Sequence, residues 1–156
     1  MRLVVDASTL VAEGLRTRGR RLIADPKFDL FFAAEAWSET QHEVRKRVAL
    51  LVDRGHLLVE SGSQLLDEAL AAISQAVTIV PTSVYANRLQ EAIRRIPRDD
   101  RDAPTVALSL VLGCGIWTGD RDFFGCGVAI WSTETLGLHI TMNGHNESPG
   151  NSETVT

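Results

Sequence analysis

Five carboxylates stand at or near the ends of apolar segments: Asp6 in "LVVDAST", Glu39 in "AEAWSETQHEV", Asp102 in "DAPTVALSLVLG", and Asp120 with Asp122 in "IWTGDRDFF". Carboxylates that share a site repel, and each raises the pKa of its neighbours. A divalent cation resolves that repulsion, and an all-oxygen ligand set suits Mg²⁺ or Mn²⁺. Such an ion lowers the pKa of a bound water and steadies negative charge on a phosphate. Each acid also has an ordinary role. Asp6 and Asp102 can cap the helices that follow them. Asp120 and Asp122 can be turn residues, and Glu39 a solvated helix residue. The two readings part on one question, whether the fold brings these acids together.

The elements around them set their positions. Leu3 to Val5 is a short apolar strand. Ser8 to Leu15 has the pattern of a helix, and Thr17 can cap a second one running to Ala24. Leu30 to Ala33 is a strand, followed by a long helix through Glu39 that ends at Gly55. Ser63 to Ala76 is helical, Val77 to Val80 is a strand stopped by Pro81, and Thr82 to Arg95 is helical. Ala103, Val106, Ala107, Leu110 and Val111 keep helical spacing after Asp102, with Pro104 in the first turn. Ile116 to Thr118 and Val128 to Trp131 complete a set of about five strands.

Strands that alternate with helices imply a mostly parallel sheet with helices on both faces. In such a sheet ligands bind beyond the carboxyl ends of the strands. Asp6 and Asp120 follow strands and fall on that edge. Helices that follow strands start there, which brings Glu39 to it. The Asp102 helix leads back into the Ile116 strand, so its start lies on the same edge. Four separate segments therefore deliver acids to one rim. Glu43, one turn beyond Glu39, shares its helix face. Asp99 and Asp100 crowd Asp102 as further candidate ligands.

Three acidic phosphoryl chemistries use such a rim. A receiver domain needs a lysine near the last strands, but the only lysines are Lys27 and Lys46. A phosphatase built on an aspartyl nucleophile wants a second Asp two residues on, where this chain has Ser8. A small-molecule phosphatase is thus the weaker alternative. A metal nuclease needs no protein nucleophile, only carboxylates that hold one or two ions about 3.5–4 Å apart.

At these positions the chain resembles the PIN-domain family, in the segments "LVVDAST", "FFAAEAWSETQHEVRKR" and "DAPTVALSLVLGCGIWTGDRDF". The resemblance covers nearly all of residues 1–136. It implies a three-layer α/β/α fold around a central, mostly parallel sheet. It also implies a metal quartet of Asp6, Glu39, Asp102 and Asp120, with Asp122 as a less regular fifth acid and Thr118 as a supporting hydroxyl. Asp6, Asp102 and Asp120 would form the inner ligand set, and Glu39 would act through water. The implied activity is Mg²⁺- or Mn²⁺-dependent endoribonuclease, commonly as a VapC-type toxin that is a homodimer held inactive by an antitoxin. A PIN fold that only docks RNA or protein is the alternative from another class.

The chain has 156 residues, 44% hydrophobic and 23% charged, which fits a single domain with its own core. Residues 1–140 carry that domain, and residues 141–156, rich in Asn, Gly, Ser and Thr, are expected to be a disordered tail. Net charge is −4, yet the basic residues are almost all Arg, clustered in "RTRGRR", "RKR" and "RRIPRDDR". Arg suits phosphate through its paired donors. Arg16, Arg18, Arg20, Arg21, Arg45 and Arg47 are the candidates for holding an RNA backbone. Cys114 and Cys126 have no metal-binding spacing and read as reduced thiols of a cytoplasmic protein. The first residues read as a short strand and not as a secretory leader, and no apolar run reaches membrane-spanning length, so no membrane partner is expected.

Overall fold

The computed structural model describes residues 1–144. Five strands form one sheet: β1 (Arg2–Val5), β2 (Asp29–Ala33), β3 (Val77–Val80), β4 (Gly115–Trp117) and β5 (Ile130–Trp131). Their spatial order is β3-β2-β1-β4-β5, and every pairing is parallel. The chain lays down β1, β2 and β3 outward in one direction, then crosses back to place β4 on the other side of β1. The order therefore reverses between β1 and β4, and that switch point is where an open parallel sheet has its binding crevice.

Eight α-helices cover the sheet among the described residues: α1 (Ala7–Gly14), α2 (Thr17–Ile23), α3 (Trp37–Asp53), α4 (Val59–Ala76), α5 (Thr82–Tyr85), α6 (Leu89–Arg95), α7 (Ala103–Leu112) and α8 (Thr133–Gly144). Alternation along β1 divides the core. Leu3 and Val5 pack with residues of α1, α2, α3, α4 and α8, whereas Val4 packs with residues of α5, α6 and α7. Side chains on successive strand residues point to opposite faces, so one buried strand feeds both layers. The result is the three-layer α/β/α arrangement around an all-parallel sheet.

Several boundaries differ from the sequence expectations, for physical reasons. The helix expected over Ser63–Ala76 starts at Val59, because Gly62 fits where α4 lies against α3. A Cβ at Gly62 would meet Val52 Cγ2 at 2.5 Å. The helix expected from Thr82 to Arg95 is broken by a 3₁₀ turn at Ala86–Arg88, next to the fully buried Tyr85. Arg16, not Thr17, occupies the N-cap of α2, and its side chain makes no capping bond. β5 is confined to Ile130–Trp131. The expected tail is helical at its start, since α8 continues through Thr141 to Gly144. The rest of the tail, 145–156, lies outside the described residues. Among the described residues no helix is long and apolar enough to cross a membrane.

Gly19 shows how tightly α1 and α2 are joined. A Cβ there would come within 2.2 Å of the Glu13 carbonyl oxygen and 2.6 Å of Glu13 Cα, both backbone atoms. Gly19→Ala is therefore expected to destabilise the fold by about 2 kcal/mol. That lowers Tm by roughly 4–8 °C in thermal unfolding.

Candidate active site

Asp6 follows the last residue of β1. Its backbone N–H donates to the Trp117 carbonyl at 3.1 Å, which ties it to the end of β4 at the switch point. The side chain is 4% exposed. Four donors converge on its Oδ2: the Ser8 hydroxyl, the Thr9 N–H and Thr9 Oγ1, both at 3.4 Å, and Thr118 Oγ1 at 3.3 Å. Asp6 thus caps α1, as its sequence position allows. Among the described residues no hydrogen bond is made to Oδ1, so one oxygen is fixed by the protein and the other is left for a different partner.

Thr118 is 2% exposed and couples the two strands' acids. Its hydroxyl donates to Asp6 and accepts from the Asp120 N–H at 3.0 Å. Asp120 opens a 3₁₀ turn, Arg121–Phe123, and its Oδ1 accepts the Asp122 N–H at 2.8 Å. The turn keeps Asp120 exposed at the strand edge. Asp122 turns elsewhere: its Oδ1 is held by Arg98 Nη1 at 3.0 Å.

Asp102 ends a 3₁₀ turn, Asp100–Asp102, at the start of α7. Although it occupies the N-cap position, its side chain makes no capping bond. Its pKa is pushed up to about 6, first by burial and then by the charges of Asp6, Asp99 and Asp120, with Arg101 opposing. Three acids from three segments therefore act on a fourth. Asp99 has the opposite environment. Arg101 grips it through two side-chain bonds, at 3.1 and 2.9 Å, and holds its carboxyl below the ordinary value.

Glu39 stands in the first turn of α3, which a separate 3₁₀ turn, Ala34–Ala36, precedes. It is exposed, and with Glu35, Asp100, Arg101 and Pro104 it lines a cleft of about 330 Å³. Glu43 is bound by Arg47 at 3.0 Å, which lowers its pKa.

The carboxylate oxygens of Asp6, Asp102 and Asp120 are donors of the kind a hard cation takes, and their mutual repulsion adds to burial in raising the Asp102 pKa. The acids gather within electrostatic range without closing up. Among the described residues no three His, Cys, Asp or Glu side chains stand close enough to hold an ion together.

The arginines divide by what they touch. Arg16 pairs with Glu13 at 3.2 Å, Arg20 with Glu68 at 3.0 Å and the Gly14 carbonyl, and Arg47 with Glu43. Arg18 lies against Gly137 of α8. Arg21 and Arg45 are exposed and form no ion pair among the described residues. Sequence reading passed over the residues that do reach the rim's acids, Arg98 and Arg101. Both lie in "RRIPRDDR", and their closeness to Asp122 and Glu39 is set by the fold, not by spacing. The hydroxyls of Ser8 and Thr9 on Asp6 were also passed over.

Comparison with known proteins gives two findings. The family model for the PIN domain matches residues 4–141. The fold is similar to a crystal structure of PAE2754 from Pyrobaculum aerophilum, with a TM-score of 0.60 and 19% identity over 91% of this chain and 90% of that one. No curated protein matches the chain. The matched span contains the switch-point crevice and every acid around it, and the chain belongs to the PIN-domain family.

Proposed function

We propose that the chain is a metal-dependent endoribonuclease that hydrolyses RNA phosphodiester bonds at the β1–β4 crevice. The observation that carries this reading is that Asp6, Asp102 and Asp120 gather at that edge, where burial first and then the charges of Asp6, Asp99 and Asp120 raise the Asp102 pKa to about 6. Mg²⁺ or Mn²⁺ would be held by Asp6 through Oδ1, by Asp102 and by Asp120, with Glu39 acting through water. Asp122, engaged by Arg98, would be available only after releasing it. When bound, the ion would supply an activated water and would stabilise the negative charge that builds on the attacked phosphate and the leaving oxygen.

The chain's own residues prepare that chemistry. Ser8, Thr9 and Thr118 saturate one oxygen of Asp6 and so fix the plane of its carboxylate. Thr118 sets the distance between Asp6 and Asp120 by bonding both. Asp102 must be deprotonated to ligate, and its raised pKa makes that step pH-dependent. Glu39, which lines the cleft, would help to orient the attacking water. The resemblance to VapC toxins extends the proposal to a toxin role, with a homodimer restrained by an antitoxin.

Thr118→Val removes the bond to Asp6 and the acceptor for the Asp120 N–H while keeping the side chain's volume. It is expected to lower kcat/KM for RNA about 10- to 100-fold, the usual cost of losing a residue that orients a metal ligand. Cleavage kinetics beside circular dichroism check this. The proposal itself is tested by incubating the chain with RNA and with a generic aryl phosphate, each with Mn²⁺ or a chelator. Metal-dependent cutting of RNA supports it. RNA binding without cutting favours a docking module, and turnover of the aryl phosphate alone favours a phosphatase.

A further inference from the structure

Four arginines, Arg94, Arg95, Arg98 and Arg101, fall in the last turn of α6 and in the connection from it to α7. Arg95 serves the fold: it grips Glu91 and donates to the Cys126 carbonyl at 3.0 Å. Arg98 and Arg101 face outward. The connection is pinned at its ends by Ile96 and Ala103, each 1% exposed, while the two guanidinium side chains are 75% and 84% exposed.

A single carboxylate steers each of them. Asp99 accepts the Arg101 backbone N–H at 3.0 Å and holds the guanidinium through Nε and Nη2. Asp122 holds Arg98 through Nη1. Among the described residues Nη1 of Arg101, and Nε and Nη2 of Arg98, make no hydrogen bond, so both forks keep donors for a second anion. Exposed pairs of this kind add little to stability. They do orient the forks, and a pre-oriented guanidinium loses less freedom for each further bond it makes.

The sheet order puts the two forks on opposite sides of Asp6. Arg101 lines the cleft with Glu35 and Glu39, which follow β2. Arg98 reaches Asp122, which follows β4. β1, which delivers Asp6, lies between β2 and β4.

We infer that Arg101 and Arg98 hold the RNA backbone on either side of the scissile phosphate, so that the strand crosses the rim along the carboxyl ends of β2, β1 and β4. The inference deepens the nuclease reading and rests on it for the identity of the ligand. Electrostatics requires such contacts, because the acids of the rim repel a polyanion wherever no cation stands between them. Geometry favours phosphate, since a guanidinium fork matches two of its oxygens. The arginines of α1, α2 and α3 are less suited: Arg16, Arg20 and Arg47 are engaged by Glu13, Glu68 and Glu43. Arg101 has a second effect. Its charge acts on Glu39 and Asp102, so it opposes a cation at the site.

Binding of a fluorescent oligouridylate to the full chain is measured by anisotropy over a range of salt concentrations, with a chelator present so that no RNA is cut. Each phosphate contact to a single strand contributes about −0.7 to the log–log salt slope. Arg101→Gln and Arg98→Gln should each weaken binding and make the slope shallower by about 0.7, and the double variant by about 1.4. Arg54→Gln, beyond the far end of α3, should change neither. With Mn²⁺, both single variants should raise KM for cleavage and leave kcat nearly unchanged, the signature of binding shared by ground and transition states. Arg101→Gln should also tighten Mn²⁺ binding about threefold, because a positive charge leaves the site. No binding by wild type, unchanged slopes in both variants, an equal change in Arg54→Gln, or weaker Mn²⁺ binding by Arg101→Gln overturns the inference. Cleavage with unchanged slopes overturns it and leaves the nuclease reading standing. The expected slopes in a chain that leaves RNA uncut support the two contacts and overturn only the nuclease reading.

Discussion

Asp6→Asn is expected to abolish metal-dependent RNA cleavage, with a fall on the order of a thousandfold or more, and to leave the fold intact. The size follows from what the carboxylate does. An ion at the crevice supplies several kcal/mol of transition-state stabilisation, and about 4 kcal/mol is a factor of a thousand in rate. Asp6 is the most confined of the three central acids, bonded to both β1's own helix and the end of β4. The fold survives because Asn is as good an N-cap as Asp, so the bond from the Thr9 N–H persists. Without metal the variant should be slightly more stable, since Asp6 is the largest charge pushing on Asp102. Cleavage rates and thermal unfolding of both proteins check this together.

Divalent metal is expected to raise Tm by roughly 5–10 °C at neutral pH, and far less at pH 5. A ligand at 100 times its Kd stabilises by about 2.7 kcal/mol, and each kcal/mol moves Tm by roughly 2–4 °C in a chain of this size. The pH dependence comes from Asp102, raised from 3.8 to about 6 by burial and then by its acidic neighbours. The metal-free fold holds this proton more tightly than the unfolded chain does. Protonation of Asp102 therefore favours the fold at low pH, and that contribution is lost as pH rises from near 4 through about 6. Metal works in the opposite direction, because it must displace the proton to bind. Metal-induced stabilisation should thus grow through pH 6 as the apo protein weakens. Asp102→Asn should flatten the apo profile and suppress the metal-induced rise. Thermal scans from pH 4.5 to 8, with and without Mn²⁺, measure both curves.

The strands were legible because each is a short apolar run closed by a polar or turn residue. The parallel sheet followed from their alternation with helices. Asp6 and Asp120 could be placed on one edge from strand direction alone, but their adjacency could not. It depends on β4 lying beside β1, a crossover that no local pattern encodes. Asp102 was legible through the apolar periodicity behind it and the Pro in its first turn. Asp122 was not, because its partner Arg98 is 24 residues away and joins it only across the rim. α8 escaped notice for a different reason. Gly137, Thr141, Asn143 and Gly144 are weak helix formers, and packing of Leu136 into the core holds the helix in place.

The measurement that bears most directly on the central claim is cleavage of an RNA by wild type and Asp6→Asn, purified side by side, with Mn²⁺ and with a chelator. The acidic crevice predicts cutting by wild type with metal, none with the chelator, and none by Asp6→Asn under either condition. Equal cutting by Asp6→Asn, or cutting by wild type that survives the chelator, would contradict it.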